Sequence, residues 1–541
     1  MDIVFPTRSH GEATVIHSGM TDPTWSLAGI VRRHAAERGE RPMLTCGDRV
    51  VTYAAMDARS SQVARALAAE GVGVQQHVGF IDKNGPEYFE VLFGGSKLNA
   101  INVAVNWRLA PAEMAYIVND ADVGVLVVGS EFRLALDEMV SSLRSVRKIV
   151  VIGEHSRYES YEGWVERRAA EDPGGTSASD DVAMQLYTSG TTGLPKGAML
   201  TNRNLGTLLP SAARGWAVDE TSVSAVALPL FHIGGSGWAL VGMWMGGHAI
   251  VFREFLPREI LAAISRHRIT NAVFVPAMLQ VLSAIPDAAD GDYSSLRNIA
   301  YGASPITEEA MLHAMRTFRC DLIQVYGLTE TTGAITELPA KDCDPGGPRA
   351  RLLRSAGRPY PWVELRIVDP ATGGDRGRGE VGEVWTRSVQ NFKGYWNHPD
   401  ETARTVTPDG WLKTGDAGYL DEDGYLFLTD RIKDMIITGG ENVYPAEVEN
   451  ALASHPAIAD VAVIGVPDDR WGEVVKAIVV PTPGHAPSPG EIIAYVRERL
   501  AHFKCPRSVD FAITLPRNAS GKLLKRELRE PYWRDQERKI H

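Results

Sequence analysis

Cysteine is nearly absent: Cys46, Cys320, Cys343 and Cys505 stand far apart in a chain of 541 residues. No C-x-x-C pair and no Cys/His spacing of a zinc site occurs. A disulfide framework and a structural zinc are therefore excluded, and a reducing cytoplasm is the expected setting, with peripheral contact to a membrane left open. Residues 1–26 carry charges and no apolar core, so no signal peptide is expected and the stretch reads as an irregular leader. Excess positive charge is missing too. Lys and Arg number 56 against 67 Asp and Glu, a net charge of −11, which argues against nucleic acid as a partner. No uninterrupted apolar run of membrane-spanning length stands out. Residues 221–252 contain no Asp, Glu, Lys or Arg, but Pro229 and glycines at 234, 235, 237, 242, 246 and 247 divide them. Strand, loop, helix and strand inside a large core is the expectation there.

What is present is length and alternation. A single core stops growing near ~250–300 residues, so at least two domains are expected. Apolar runs at 77–82, 100–105, 123–128 and 148–152 alternate with helical patterns at 86–98 and 111–120. Such runs indicate a largely parallel sheet covered on both faces. The pattern resumes at 224–228, 248–252, 271–275, 298–301 and 321–325, and charge-rich strands at 363–368 and 380–387 suggest a β-rich subdomain. Near 430 the texture changes to a helix at 445–454, strands at 461–466 and 474–480, and a helix at 491–501. The expected fold is α/β: a large N-terminal domain, residues 1–430, of layered and mostly parallel sheets plus the β-rich subdomain, then a small C-terminal α+β domain, residues 431–541.

The chain is organised around Tyr187-Thr-Ser-Gly-Thr-Thr-Gly-Leu-Pro-Lys-Gly197. A short strand at 182–187 leads in, and a helical pattern starts at Asn202. Gly190 and Gly193 let several N–H groups point into one concavity, Thr188, Ser189, Thr191 and Thr192 add hydroxyls, and Lys196 adds a mobile cation. This is a phosphate cradle, though not the G-x-x-x-x-G-K-[ST] loop: Pro195 stands where the second glycine belongs, and Gly197 follows the lysine. A G-x-S-x-G hydrolase elbow at Ser304 or Ser236 is excluded, because Ile306 and Trp238 stand where the last glycine is needed.

The loop resembles the signature loop of the adenylate-forming superfamily, which includes acyl- and aryl-CoA synthetases, luciferases and peptide-synthetase adenylation domains. Further matches follow in the family's order and span nearly the whole chain. In Pro229-Leu-Phe-His-Ile-Gly-Gly235, His232 resembles the residue that gates and lines the carboxylate pocket, and the flanking glycines leave room for a ligand; a core histidine is the plain alternative. In Tyr301-Gly-Ala-Ser-Pro-Ile306, the resemblance lays Gly302, Ala303 and Ser304 against adenine and acyl group. In Gln324-Val-Tyr-Gly-Leu-Thr-Glu-Thr-Thr-Gly333 it stacks Tyr326 on adenine, places Gly327 beside it, brings Thr329 to the α-phosphate and gives Mg²⁺ to Glu330. Asp416, closing Trp411-Leu-Lys-Thr-Gly-Asp, sits at the end of a turn and would accept the ribose hydroxyls. Arg431 would bind ribose or phosphate, Lys433 would be an interdomain hinge, and Gly439 and Gly440 would admit pantetheine. Lys522, in Leu515-Pro-Arg-Asn-Ala-Ser-Gly-Lys522, would be the catalytic lysine that bridges carboxylate and α-phosphate. Asp430 stands where the family usually has glycine, and Arg517 where it more often has lysine.

The resemblance implies an AMP-forming acid–thiol ligase using ATP, Mg²⁺ and CoA, whose C-terminal domain moves as a lid about Lys433. Candidate acyl-pocket residues Trp238, Val275, Met278, Ala303, Gly327, Gly333 and Ile335 offer no charge, so an apolar acid is expected, foremost a medium- to long-chain fatty acid. Aryl, cinnamate-type or steroid acids, and a carrier-protein thiol as acceptor, stay open, as does a homodimer.

Overall fold

Apolar strands between helices take shape as expected in the computed structural model, which describes residues 25–189, 194–304, 306, 308–431, 434–438, 441–468, 470–517 and 523–534. His77–Ile81, Ile101–Ala104 and Val125–Gly129 are buried at every position, as strands covered on both faces must be. The helix Pro86–Lys97 opens with proline at its first turn and buries all but one residue, so it is a core helix rather than a half-wet one. The chain divides into two units. One comprises Met1–Glu254, Thr329–Gly333 and Val389–Pro399; the other comprises Phe255–Leu328, Ala334–Ser388 and Asp400–His541.

The first unit holds an eight-stranded sheet in the order Gly394–Tyr395, Pro195–Thr201, Val182–Ser189, Ile101–Ala104, His77–Ile81, Val125–Gly129, Lys148–Ile152, Glu159–Ser160. Pairing is parallel from Val182–Ser189 to the Glu159–Ser160 edge. At the other end it is antiparallel, where Pro195–Thr201 folds back on Val182–Ser189 and takes up Gly394–Tyr395. The reading of strand, loop and helix for 182–202 is thereby corrected. An unexpected second strand, Pro195–Thr201, precedes the helix Asn202–Gly215, which starts at the residue expected and is capped by Thr201. Residues 221–252 resolve as expected into Val223–Val226, a loop, the helix Ile233–Met245 and His248–Val251. No helix among the described residues is long and apolar enough to cross a membrane.

In the second unit Asn271–Phe274, Asn298–Gly302 and Asp321–Leu328 pair in parallel, and Gly333–Leu338 and Arg358–Pro359 extend that order. The expected β-rich subdomain is a four-stranded antiparallel sheet of Glu364–Val368, Gly382–Arg387, Leu412–Leu420 and Leu426–Arg431. Beyond it, the long antiparallel pair Ile458–Asp468 and Gly472–Pro481 packs against Pro445–Ala453 and Pro489–Arg497 through Val463, Val479, Val448, Leu452, Ile492 and Val496.

Candidate active site

In the first unit the hairpin carries the phosphate-loop residues, and a second segment straps across it. Tyr395 pairs with Ala198 and Gly394 with Met199. The Trp396 amide donates to the Gly197 carbonyl at 2.8 Å, and the Phe392 amide donates to the Glu330 carbonyl at 2.8 Å. Gln390 Nε2 donates to the Thr331 carbonyl at 2.7 Å, and Asn204 Nδ2 donates to the carbonyls of Val389 and Asn391, both at 2.8 Å. The strap was invisible in the sequence because its strand is two residues long. The signal it did carry was Gly394, whose φ of 137° only glycine adopts readily, among Phe392, Tyr395 and Trp396.

Hairpin and strap converge on one carboxylate. Thr188 Oγ1 donates to Glu330 Oε1 at 3.3 Å, and the Tyr395 hydroxyl donates to the same oxygen at 2.8 Å. Oε2 has no hydrogen-bond partner among the described residues. Lys196, only 6% exposed, holds Nζ 5.6 Å from the centroid of the Tyr395 ring. A buried ammonium and an oriented carboxylate thus share one aromatic support. Three of the four residues were expected at the site; Tyr395 was not. The hairpin itself rests on a buried chain of side chains. The Tyr187 hydroxyl donates to Asp120 Oδ2 at 2.6 Å, Gln185 Nε2 donates to the Tyr187 hydroxyl at 3.1 Å, and His77 Nε2 lies 3.1 Å from Gln185 Oε1.

His232 immediately precedes the helix Ile233–Met245, with extended backbone. Its Nε2 is buried and has no hydrogen-bond partner among the described residues, so the satisfied core histidine is not what is observed. Burial, and secondarily the Arg108 guanidinium, push its pKa down to about 4, which leaves the ring neutral at pH 7. Gly235 is also required by the turn itself, since a Cβ there would lie 2.1 Å from the Pro229 carbonyl oxygen. Ser236 Oγ donates to the His232 carbonyl at 3.0 Å, as a helix residue does. Trp238 is a core residue whose Nε1 donates to the Ala225 carbonyl at 2.7 Å.

The second unit holds the nucleoside-side candidates. The Tyr326 hydroxyl donates to Asp416 Oδ2 at 2.6 Å, and both residues are buried. Asp416 does not end a turn; it lies inside Leu412–Leu420, opposite Arg431 in the antiparallel ladder. Gly415, at φ 69°, kinks that strand just before it. Gly302 is demanded by packing, since a Cβ would lie 2.3 Å from the Val325 carbonyl oxygen. Ala303 follows at φ 70°, left-handed backbone that a non-glycine residue adopts at a cost and that is enriched at functional sites. Ser304 is half-buried, Gly327 lies in Asp321–Leu328, and Ile335 is fully buried in Gly333–Leu338. Thr329 and Glu330 belong to the first unit, where the Thr329 carbonyl accepts the Thr332 amide at 2.9 Å in a tight turn. Gly190, Thr191, Thr192, Gly193, Lys433, Gly439, Gly440 and Lys522 lie outside the described residues, as do the side chains of Ser189 and Arg431.

The donor set suits Mg²⁺ rather than a metal held wholly by protein. Among the described residues no group of three or more His, Cys, Asp or Glu could hold a metal. Mg²⁺ takes one or two carboxylates with waters and substrate phosphates, and Glu330 with Oε2 available offers that.

The AMP-binding enzyme family matches residues 31–396, and the AMP-binding enzyme C-terminal domain matches residues 447–522. A fatty acid–[acyl-carrier-protein] ligase of Streptomyces coeruleorubidus is 39% identical over 515 residues, 94% of this chain and 96% of that protein. A feruloyl-CoA synthase of an Amycolatopsis species is 37% identical, covering 90% and 95%. The crystal structure of ATP-bound MatB from Rhodopseudomonas palustris superimposes with a TM-score of 0.85 at 29% identity, covering 94% and 99%. The chain belongs to the AMP-binding enzyme family of the adenylate-forming superfamily. It is an ATP-dependent, AMP-forming ligase that activates a carboxylic acid as its adenylate for transfer to a thiol.

Proposed function

We propose that the acid is a medium- to long-chain fatty acid and the acceptor CoA. In the first step a carboxylate oxygen attacks the α-phosphorus of ATP and pyrophosphate leaves. In the second, the thiol sulfur attacks the acyl carbon, AMP leaves and the thiol proton passes to solvent. Lys196 and the hydroxyls of Thr188, Ser189, Thr191 and Thr192 hold phosphate oxygens, with the amides of Gly190 and Gly193. Mg²⁺ held at Glu330 would neutralise phosphate charge. Tyr326 supports adenine, Asp416 and Arg431 hold the ribose, and Thr329 reaches the α-phosphate. Lys522 bridges the reacting oxygens, and residues 431–541 turn about Lys433 so that Gly439 and Gly440 serve the thiol step.

The observation that carries the reading is Glu330 fixed from two sides beside a buried Lys196. A neutral, unpartnered His232 next to Phe231, 4.6 Å between ring centroids, favours an uncharged acyl chain over a second polar group on the acid. The relative named as a fatty acid–[acyl-carrier-protein] ligase favours a second acceptor, a carrier-protein thiol. Measuring AMP release across fatty, aryl and steroid-like acids, with CoA or a phosphopantetheinylated carrier, tests both. Fatty acids with CoA should dominate; turnover with carrier alone would overturn the acceptor, and aryl preference the acid. Lys522→Ala should abolish adenylate formation yet retain most thioester formation from supplied acyl-adenylate, and equal loss of both would remove that role.

A further inference from the structure

Tyr395 makes side-chain contacts beyond the backbone pairing that holds the strap. Its backbone is already fixed by the pairing with Ala198 and by the neighbouring Trp396 amide on Gly197. Its side chain nevertheless joins two charged groups from distant stretches. The hydroxyl donates to Glu330 Oε1 at 2.8 Å, and the ring face lies 5.6 Å from Lys196 Nζ. Phe392 packs edge-on against that ring, with centroids 4.8 Å apart, and so limits its swing. A carboxylate held by two hydroxyls on one oxygen presents its other oxygen in a fixed direction, whereas a single donor leaves rotation about that bond. A cation over an aromatic face is attracted to it, so the ring helps to set where the ammonium sits.

We propose that Tyr395 is a positioning residue of the adenylation step: its hydroxyl orients Glu330 toward the metal of MgATP while its ring holds Lys196 toward the phosphates. The proposal rests on the metal role assigned to Glu330. Groups that orient a metal ligand typically change metal affinity about 10–100-fold when removed. Tyr395→Phe keeps ring and packing and removes only the hydroxyl.

ATP binding followed by calorimetry at stepped Mg²⁺ concentrations reads the effect with no acid present. Tyr395→Phe should raise the Mg²⁺ needed for half-maximal ATP affinity about tenfold, with unchanged binding of ATP in the absence of Mg²⁺. Tyr395→Leu should weaken ATP binding without Mg²⁺ as well, because Lys196 loses its support. Glu330→Gln serves as the control. If it leaves the Mg²⁺ dependence unchanged, the metal role of Glu330 fails. If it shifts that dependence and Tyr395→Phe does not, the positioning role alone is overturned. Should Tyr395→Leu not fold, the Tyr395→Phe comparison decides by itself.

Discussion

The proposed phosphate side and the proposed nucleoside side are built by different means. In the first unit, Thr188 and Lys196 face each other across the hairpin, Tyr395 joins that hairpin through a two-residue strand, and Glu330 comes from a separate segment and meets them through side chains. In the second, Asp416 and Arg431 face each other within one sheet, and one hydrogen bond ties Tyr326 to Asp416. The groups proposed to meet phosphate are held by side-chain contacts from several segments, whereas those proposed to recognise the nucleoside share one ladder. The difference is open to attack from either side.

The sharpest attack is on Glu330. Glu330→Gln keeps both hydroxyl donors a partner and removes the charge. Carboxylate-dependent pyrophosphate exchange should fall about 10²–10³-fold, the scale of losing one electrostatic contact made in the transition state. A fall of less than tenfold would mean that the carboxylate only braces the hairpin. On the other side, Asp416→Asn retains a group able to accept from Tyr326. Losing a charged acceptor for ligand hydroxyls costs about 1.5–3 kcal/mol, so KM for ATP should rise about 10–100-fold with kcat little changed. An equal fall in kcat would put Asp416 in the chemistry and erase the contrast.

How much of this could be read in the sequence follows the same division. Strands such as His77–Ile81 and Asn298–Gly302 announce themselves by apolar runs, and the residues after Val182–Ser189 by their hydroxyls and glycines. Asp416 was expected at the end of a turn, whereas Gly415, at φ 69°, only kinks a strand that continues through it. The second hairpin strand, Pro195–Thr201, was missed because Pro195 and Gly197 look like loop residues. Tyr395 was missed because the glycine beside it marks a bend and not a partner; its partners lie 65 residues before it, at Glu330, and further still at Lys196. Local pattern reports strands, and long-range side-chain meeting leaves no local trace.

Gly197 tests whether the hairpin's rigidity comes from the buried chain beneath it. A Cβ at this position would lie 2.4 Å from Gln185 Nε2. Gln185 is fully buried and engaged with His77 and Tyr187, so it cannot step aside. Gly197→Ala should destabilise the first unit by about 1–3 kcal/mol, the usual cost of overpacking. Hydrogen exchange should rise in Val182–Ser189 and Pro195–Thr201 and stay unchanged in Leu412–Leu420. Exchange unchanged in the hairpin would show that the buried chain yields.

The smallest effect separates the units by pH. His77 is 3% exposed, and burial pushes its pKa down to about 4 against a weaker opposing pull from the Gln185 hydrogen bond. Because the folded pKa lies below the ordinary 6.5, the unfolded chain takes the proton first as pH falls. This contribution is complete above about 6.5 and is lost as pH falls through the window down to about 4. Between pH 7 and pH 5 the loss is about 2 kcal/mol. His232 shifts the same way in the same unit, whereas in the second unit His267, also lowered by burial, is only half-buried. Exchange protection at pH 5 should therefore drop in His77–Ile81 relative to Asn298–Gly302, and His77→Gln should flatten that drop while lowering protection at pH 7. If acid loosened both strands in parallel, in wild type and variant alike, the buried histidines would not be what distinguishes the two units, and carboxylate protonation would have to account for the whole acid response.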